Sequence, residues 1–174
     1  MPRMTLRLLL VLSFVFPLSG QTGDWKQYKN ADGNFAALFP AEPQDSINPA
    51  GEGISSHTIL ARESSAIYTV IYTSMENAQT VDDATYKVFK NAVMTQLPSC
   101  SSGDEDSASP VIEGYIGHSY RMNCAMSRPV SILGNLYWGK HHAYAVMVMF
   151  PTSAGEPASV RKFVDSFAVL DAAK

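Results

Sequence analysis

Two adjacent histidines follow a tryptophan within residues 134–150, whose sequence is GNLYWGKHHAYAVMVMF. Imidazole nitrogens are common zinc ligands, so paired histidines could form part of a metal site. Consecutive strand residues point to opposite faces, however, which makes His141 and His142 awkward as ligands of one metal. A turn at Gly139-Lys140 between two apolar runs instead favours a hairpin with the histidines at its tip. We predict no metal site here. The residues expected to form an interaction surface are Tyr137, Trp138, His141 and His142.

The segment Gly117-His118-Ser119-Tyr120-Arg121 begins like the nucleophile elbow G-x-S-x-G. Arg121 stands where the second glycine is required, and Ser119 falls inside a predicted strand instead of at a sharp turn before a helix. The chain also lacks a Gly-rich phosphate loop, HExxH and CxxC. We therefore assign no catalytic residue and no cofactor. A small hydrolase or metal-dependent enzyme of the cell envelope, using His118 and Ser119 or the hairpin histidines, is the alternative.

The N-terminus has the layout of a secretory signal peptide. Arg3 and Arg7 precede an apolar run at residues 8–16 that only Ser13 interrupts. This run is about half of the roughly 20 apolar residues that a spanning helix needs. We predict a signal peptide at residues 1–20 and one globular domain at residues 21–174, periplasmic or secreted, with no stable membrane anchor.

The charge balance bears on the kind of partner. The whole chain has 13 basic and 16 acidic residues, for a formal charge of -3. Loss of residues 1–20 would remove two arginines and no acid, leaving 11 bases against 16 acids, a charge of -5. Nucleic-acid affinity comes mainly from basic residues that displace phosphate counterions, so we expect no nucleic-acid partner. The expected partner is a protein or small ligand of the exported compartment.

The two cysteines of the chain, Cys100 and Cys124, are predicted to form a disulfide, because an exported protein meets an oxidising environment. A reactive thiol needs a basic neighbour or a helix N-terminus to lower its pKa. The sequence around Cys100 is SCSSGDEDS, which is acidic. A structural bridge is therefore favoured over redox chemistry.

The rest of the pattern alternates apolar runs with turn residues. Strands rich in Ile, Val, Thr and Tyr are predicted at 55–62 and 66–74. A helix is predicted from about residue 81 to 97, capped by Thr80 and Asp83. The residues expected to face inward from this helix are Ala84, Val88, Phe89, Ala92, Val93 and Leu97. The other predicted segments are an irregular segment at 43–53, a Ser-rich acidic loop at 99–110, strands at 111–113 and 117–126, a hairpin of strands 130–138 and 141–150, and a short helix at 158–165.

Several of these features resemble the PsbP-like fold family, which includes photosystem-associated lumenal proteins, nuclear import factors and many small exported bacterial proteins. The resemblance rests on Trp25, Tyr28, Asp32-Gly33-Asn34-Phe35, Phe39-Pro40 and Pro43, with the helix, the long hairpin, Phe163 and Ser166-Phe167 following. It implies an α+β fold in which an antiparallel sheet of about six strands has helices packed on its faces. It also implies a binding or accessory role and transfers no site residue. The sequence thus predicts an exported binding, accessory or interaction protein without catalytic activity.

Overall fold

The computed structural model describes residues 24–49, 54–63, 65–95, 97, 99–102 and 111–170. The predicted signal peptide at 1–20 lies outside the described residues, as do residues 103–110 of the predicted Ser-rich loop.

Within these ranges the chain forms ten β-strands and two α-helices. The strands are β1 (Lys26–Asn30), β2 (Phe35–Phe39), β3 (Gln44–Pro49), β4 (Ile54–Glu63), β5 (Ala66–Met75), β6 (Cys100–Ser102), β7 (Tyr115–Cys124), β8 (Val130–Gly139), β9 (His142–Pro151) and β10 (Ala168–Val169). The helices are α1 (Asp83–Met94) and α2 (Ser159–Val164), with a 3₁₀ turn at Thr152–Ala154.

The strands form two sheets that pack face to face. The larger sheet has the order β3-β4-β5-β9-β8-β7-β6, and the smaller has the order β1-β2-β10. All neighbouring strands run antiparallel. The main core lies between the sheets and is closed on one side by α2.

The predicted α+β fold, with about six strands and helices on the faces of one sheet, is wrong. The described chain is mainly β and forms a β-rich sandwich. Two strands lie in segments predicted as irregular, since β3 falls within 43–53 and β6 within 99–110. Both are edge strands of polar composition, so they lack the apolar alternation by which a strand is recognised. The strand predicted at 111–113 is absent, because the chain there leads into a turn at Gly114.

A row of aromatic rings crosses the inner face of the larger sheet. His57 is opposite Tyr72, Tyr72 is opposite Tyr144, and Tyr144 is opposite Tyr137. Residues directly opposite on antiparallel strands share a face, so the four rings lie side by side. Phe35 of the smaller sheet packs on the middle of the row, with its ring centroid 5.7 Å from that of Tyr72 and 6.1 Å from that of Tyr144. Ring packing therefore joins the two sheets.

The helix α1 lies on the outer face of the larger sheet, with Tyr86 buried and Phe89 packed beside it. The predicted inward set is partly wrong, because Val88 is 71% exposed and Ala84 and Ala92 are also exposed. The helix has apolar residues on two faces. The sheet takes the face with the aromatic rings, since these bury more apolar area than valine or alanine.

The cap of α1 is of the predicted kind but lies two residues later. Asp82 Oδ1 accepts a hydrogen bond from the Thr85 backbone N–H at 2.8 Å, and Thr85 Oγ1 accepts one from the Asp82 backbone N–H at 3.3 Å. This reciprocal pair is a capping box. The predicted pair was Thr80 and Asp83.

Three other predictions are confirmed. The strands β8 and β9 form one hairpin along their whole length, with its turn at Lys140-His141, one residue later than predicted. The short helix α2 buries Val160, Phe163 and Val164. The disulfide between Cys100 and Cys124 is present, and its cysteines lie directly opposite each other in β6 and β7.

Candidate interaction site

Two of the four residues predicted to form an interaction surface belong to the interior. Tyr137 is 2% exposed, and its ring stacks on Phe167 with centroids 5.4 Å apart and an interplanar angle of 16°. His142 is half-buried and lies parallel to Tyr144, with centroids 6.0 Å apart. Both side chains face the smaller sheet.

Trp138 and His141 lie on the outside of the hairpin. The indole Nε1 of Trp138 donates to the Thr80 backbone oxygen at 2.9 Å, and its ring lies 5.3 Å from that of Phe89. His141 is exposed in the turn, with Nδ1 3.4 Å from the Met75 backbone oxygen. The predicted four residues are therefore divided between two faces, because neighbouring strand residues alternate in direction.

The tip of the hairpin is tied to the segment between β5 and α1. The Met75 backbone N–H donates to the His141 oxygen at 2.9 Å, and the Gln79 backbone N–H donates to the Lys140 oxygen at 2.7 Å. These bonds hold the turn against the residues that precede α1. We call the group at this position the hairpin-tip surface, which consists of the partly buried Trp138 and the exposed residues Thr80, Val81, Lys140 and His141.

The two hairpin histidines do not share a ligand direction. His141 points toward a backbone oxygen of β5, whereas His142 packs within the sandwich. Among the described residues, no group of three or more His, Cys, Asp or Glu side chains is close enough to hold a metal ion.

Ser119 and His118 also lie on opposite faces of the larger sheet. The Ser119 hydroxyl donates to Asn135 Oδ1 at 2.8 Å, and Asn135 Nδ2 donates to Tyr137 Oη at 3.0 Å. His118 lies beneath α1, with its ring 4.5 Å from that of Tyr86. A serine nucleophile needs a base within hydrogen-bond reach, and an asparagine amide is not a base. The structure does not bring together the pair on which the hydrolase alternative depends.

The buried tyrosines offer no activated phenolate. Burial raises the pKa of Tyr137 to about 12, although the hydrogen bond from Asn135 opposes this effect. Burial likewise raises the pKa of Tyr86 to about 12 and that of Tyr144 well above its ordinary value. A phenol with a raised pKa stays protonated near neutral pH, which suits packing and hydrogen bonding.

A polar corner between β3 and β4 was missed by the sequence prediction. Asp45 Oδ1 lies 3.3 Å from His57 Nδ1, and the His57 ring stacks on Tyr72 with centroids 4.6 Å apart and an angle of 10°. Ile47, directly opposite His57, is 68% exposed. The corner was missed because segment 43–53 was predicted as irregular. The run Gln-Asp-Ser-Ile-Asn between Pro43 and Pro49 was the available signal, since proline within sheets is typical of edge strands.

The stability of this end of the sandwich is expected to depend on the protonation of His142. Burial lowers the pKa of His142 below its ordinary value of 6.5, against a smaller opposing effect of a hydrogen bond with the Asp32 backbone. The unfolded chain then binds more protons than the folded one between the lowered pKa and 6.5, so the free energy of unfolding falls as pH drops through this window. The stability contributed by the neutral form of His142 is fully present above this pH window.

Urea unfolding between about pH 7.5 and about pH 5 measures this slope. We expect His142→Gln to reduce it and the matched variant His141→Gln to keep most of it, because the charge of His141 is the smallest of the effects on the pKa of His142. An undiminished slope in His142→Gln would show that another group is responsible.

The fold and these contacts define a disulfide-linked antiparallel β-sandwich with a partly buried tryptophan held at the hairpin tip. No helix in the described ranges is long and apolar enough to cross a membrane. A scan against protein-family models finds no match, and a search of the curated proteins finds none.

Proposed function

We propose that this protein is exported and acts by binding a partner protein through the hairpin-tip surface, in a binding or accessory role without catalysis. The signal-peptide layout of residues 1–20 and the disulfide between Cys100 and Cys124 support export. Disulfides persist in the periplasm and outside the cell and are rare in the cytosol. The resemblance to the PsbP-like family stays a prediction, and it favours the same kind of role.

The observation that carries the binding proposal is the position of Trp138. Its ring is only partly buried, yet the hydrogen bond to Thr80 and the contact with Phe89 hold it in one orientation. Tryptophan is enriched among the residues that dominate binding energy at protein interfaces. A side chain that is already ordered loses less entropy on binding, which increases affinity.

The neighbours of Trp138 suit the rim of an interface. His141 and Lys140 are exposed polar residues, and Val81 is 36% exposed beside Thr80. An aromatic residue bordered by apolar and polar side chains is the usual arrangement of a protein interface, with a dry centre and a wet rim. Tyr137 and His142 lie on the inner face of the hairpin and are not part of this surface.

The enzyme alternative receives less support. Ser119 is hydrogen-bonded to Asn135, and His118 lies beneath α1 on the other face. A catalytic site would require such groups to converge on one point. We therefore favour binding over a hydrolase or metal-dependent activity.

The test is cross-linked capture of partners from the exported fraction of the source cells by the wild-type protein, Trp138→Ala and Trp25→Ala. Trp25 is the matched control, because it is also partly buried, packing edge-on against Tyr68 with Lys162 over its ring, and lies in another part of the fold. We expect a partner that wild type and Trp25→Ala retain and that Trp138→Ala binds about 30-fold more weakly, as for a 2 kcal/mol hot spot. A partner that Trp138→Ala retains equally, or no enrichment over an acidic control protein, would refute the proposed surface.

A further inference from the structure

The outer edge of the larger sheet at β3 has no strand beside it among the described residues. β3 pairs with β4 through six residue pairs, from Gln44 opposite Leu60 to Pro49 opposite Ser55. An edge strand offers unpaired backbone N–H and C=O groups on its outer side, which can pair with a further strand. This edge is therefore able to extend the sheet.

The described sheet edges differ in how they discourage such pairing. β1, an edge of the smaller sheet, carries the exposed residues Lys26 and Lys29, and lysine on an edge strand opposes edge-to-edge association. β6, at the far end of the larger sheet, is only three residues long. β3 is six residues long, has the sequence QDSINP without a basic residue, and exposes 68% of Ile47. Asp45 and Pro49 are the residues of this strand that oppose pairing. Of these three edges, β3 is the longest and the one that exposes a large apolar side chain.

We propose that β3 pairs antiparallel with β3 of a second copy of this chain. A two-fold axis at Ile47 would place Ile47 opposite Ile47, Ser46 opposite Asn48, and Asp45 opposite Pro49. No like charges face each other in this register, because the single charged residue of the strand lies opposite a proline. The two isoleucines cover each other, and cross-strand pairs of this kind stabilise a sheet.

The self-complementarity of β3 favours a second copy over an unrelated extended peptide. Such a dimer is closed by its own symmetry, since the same patch serves on both subunits and no further edge of this kind remains. It would join two seven-stranded sheets into one. Both chains are acidic overall, so their long-range repulsion opposes association and is screened by salt. Dimerisation should accordingly strengthen as salt concentration rises.

Sedimentation velocity of the purified protein over a range of concentrations tests the proposal. We expect a concentration-dependent dimer for the wild type, and a dissociation constant raised about tenfold or more by Ile47→Lys, which places a charge at the centre of the pairing. Gln27→Lys adds the same charge to the exposed edge strand β1 and should leave the dimer intact. Trp138→Ala should also leave it intact, so failure of the proposed hairpin-tip function would not be confused with failure of the dimer.

A second measurement is cross-linking through an introduced cysteine, which tests the proposed contact without weakening the dimer. Ile47→Cys should form a reducible covalent dimer on mild oxidation, because position 47 faces itself across the axis. Val88→Cys is the matched control, since Val88 is similarly exposed at 71% but lies on α1. Each of three results would overturn the proposal: a monomer at every concentration, a dimer insensitive to Ile47→Lys, or equal cross-linking of the two cysteine variants.

Discussion

Replacing Gly134 with alanine is expected to destabilise the protein by at least about 3 kcal/mol, the upper end for overpacking a core. Gly134 lies in the middle of β8, directly opposite Met147 of β9. A Cβ at this position would overlap the backbone oxygen of Val146 and lie 2.9 Å from the Met147 Cα atom. Backbone atoms in a central strand cannot move aside as the end of a flexible side chain can. We therefore expect loss of the β8–β9 pairing or failure to fold.

Urea unfolding followed by circular dichroism measures this effect. Gly155→Ala is the control, because nothing lies within 4 Å of the added Cβ there and its φ is +70°. Its cost is confined to the backbone conformation of Gly155, φ 70° with ψ 178°, a region almost restricted to glycine, and is about 1–3 kcal/mol. Equal losses in the two variants would mean that strand packing is not the cause, contrary to the prediction.

Removal of the disulfide is expected to lower the free energy of unfolding by about 3 kcal/mol on the chain-entropy estimate. The bridge joins residues 24 apart in sequence and holds β6, a strand of three residues, on the edge of β7. Without it the unfolded chain gains freedom, and β6 would rest on few backbone hydrogen bonds. The loss would be a large share of the roughly 5–15 kcal/mol that stabilises a typical domain.

The comparison requires Cys100→Ser/Cys124→Ser and the wild type, each unfolded in urea with and without reductant. The wild type should lose stability in reductant to near the level of the double variant, and reductant should leave the double variant unchanged. A wild-type midpoint that reductant does not move would contradict a stabilising role for this bridge.

Local signals in the sequence predicted the elements that depend on neighbouring residues. The β8–β9 hairpin follows from two apolar runs around a turn, and the inward residues of α2 follow from helical spacing. The pairing of Cys100 with Cys124 was also predictable, because the chain contains two cysteines and an export signal layout.

The sequence could not divide the candidate surface residues correctly between surface and interior. Trp138 and Tyr137 are neighbours with similar aromatic character, and alternation placed them on opposite faces. One face of the larger sheet is covered by α1 and the other by the smaller sheet. Contacts between residues distant in sequence decide which face is which. The smaller sheet buries Tyr137, whereas the position of α1 leaves Trp138 partly exposed at the hairpin tip.

The sequence by itself determined the cysteine pair, the long hairpin, the strands around residue 65 and the existence of α1, because turn chemistry, capping and side-chain period act over a few residues. The tertiary structure decided the fold class, the strands β3 and β6, and the face that α1 presents to the sheet. Polar edge strands such as β3 form because β4 supplies backbone hydrogen-bond partners. Their own side chains carry little apolar periodicity, and so the information that makes them strands lies in another part of the chain.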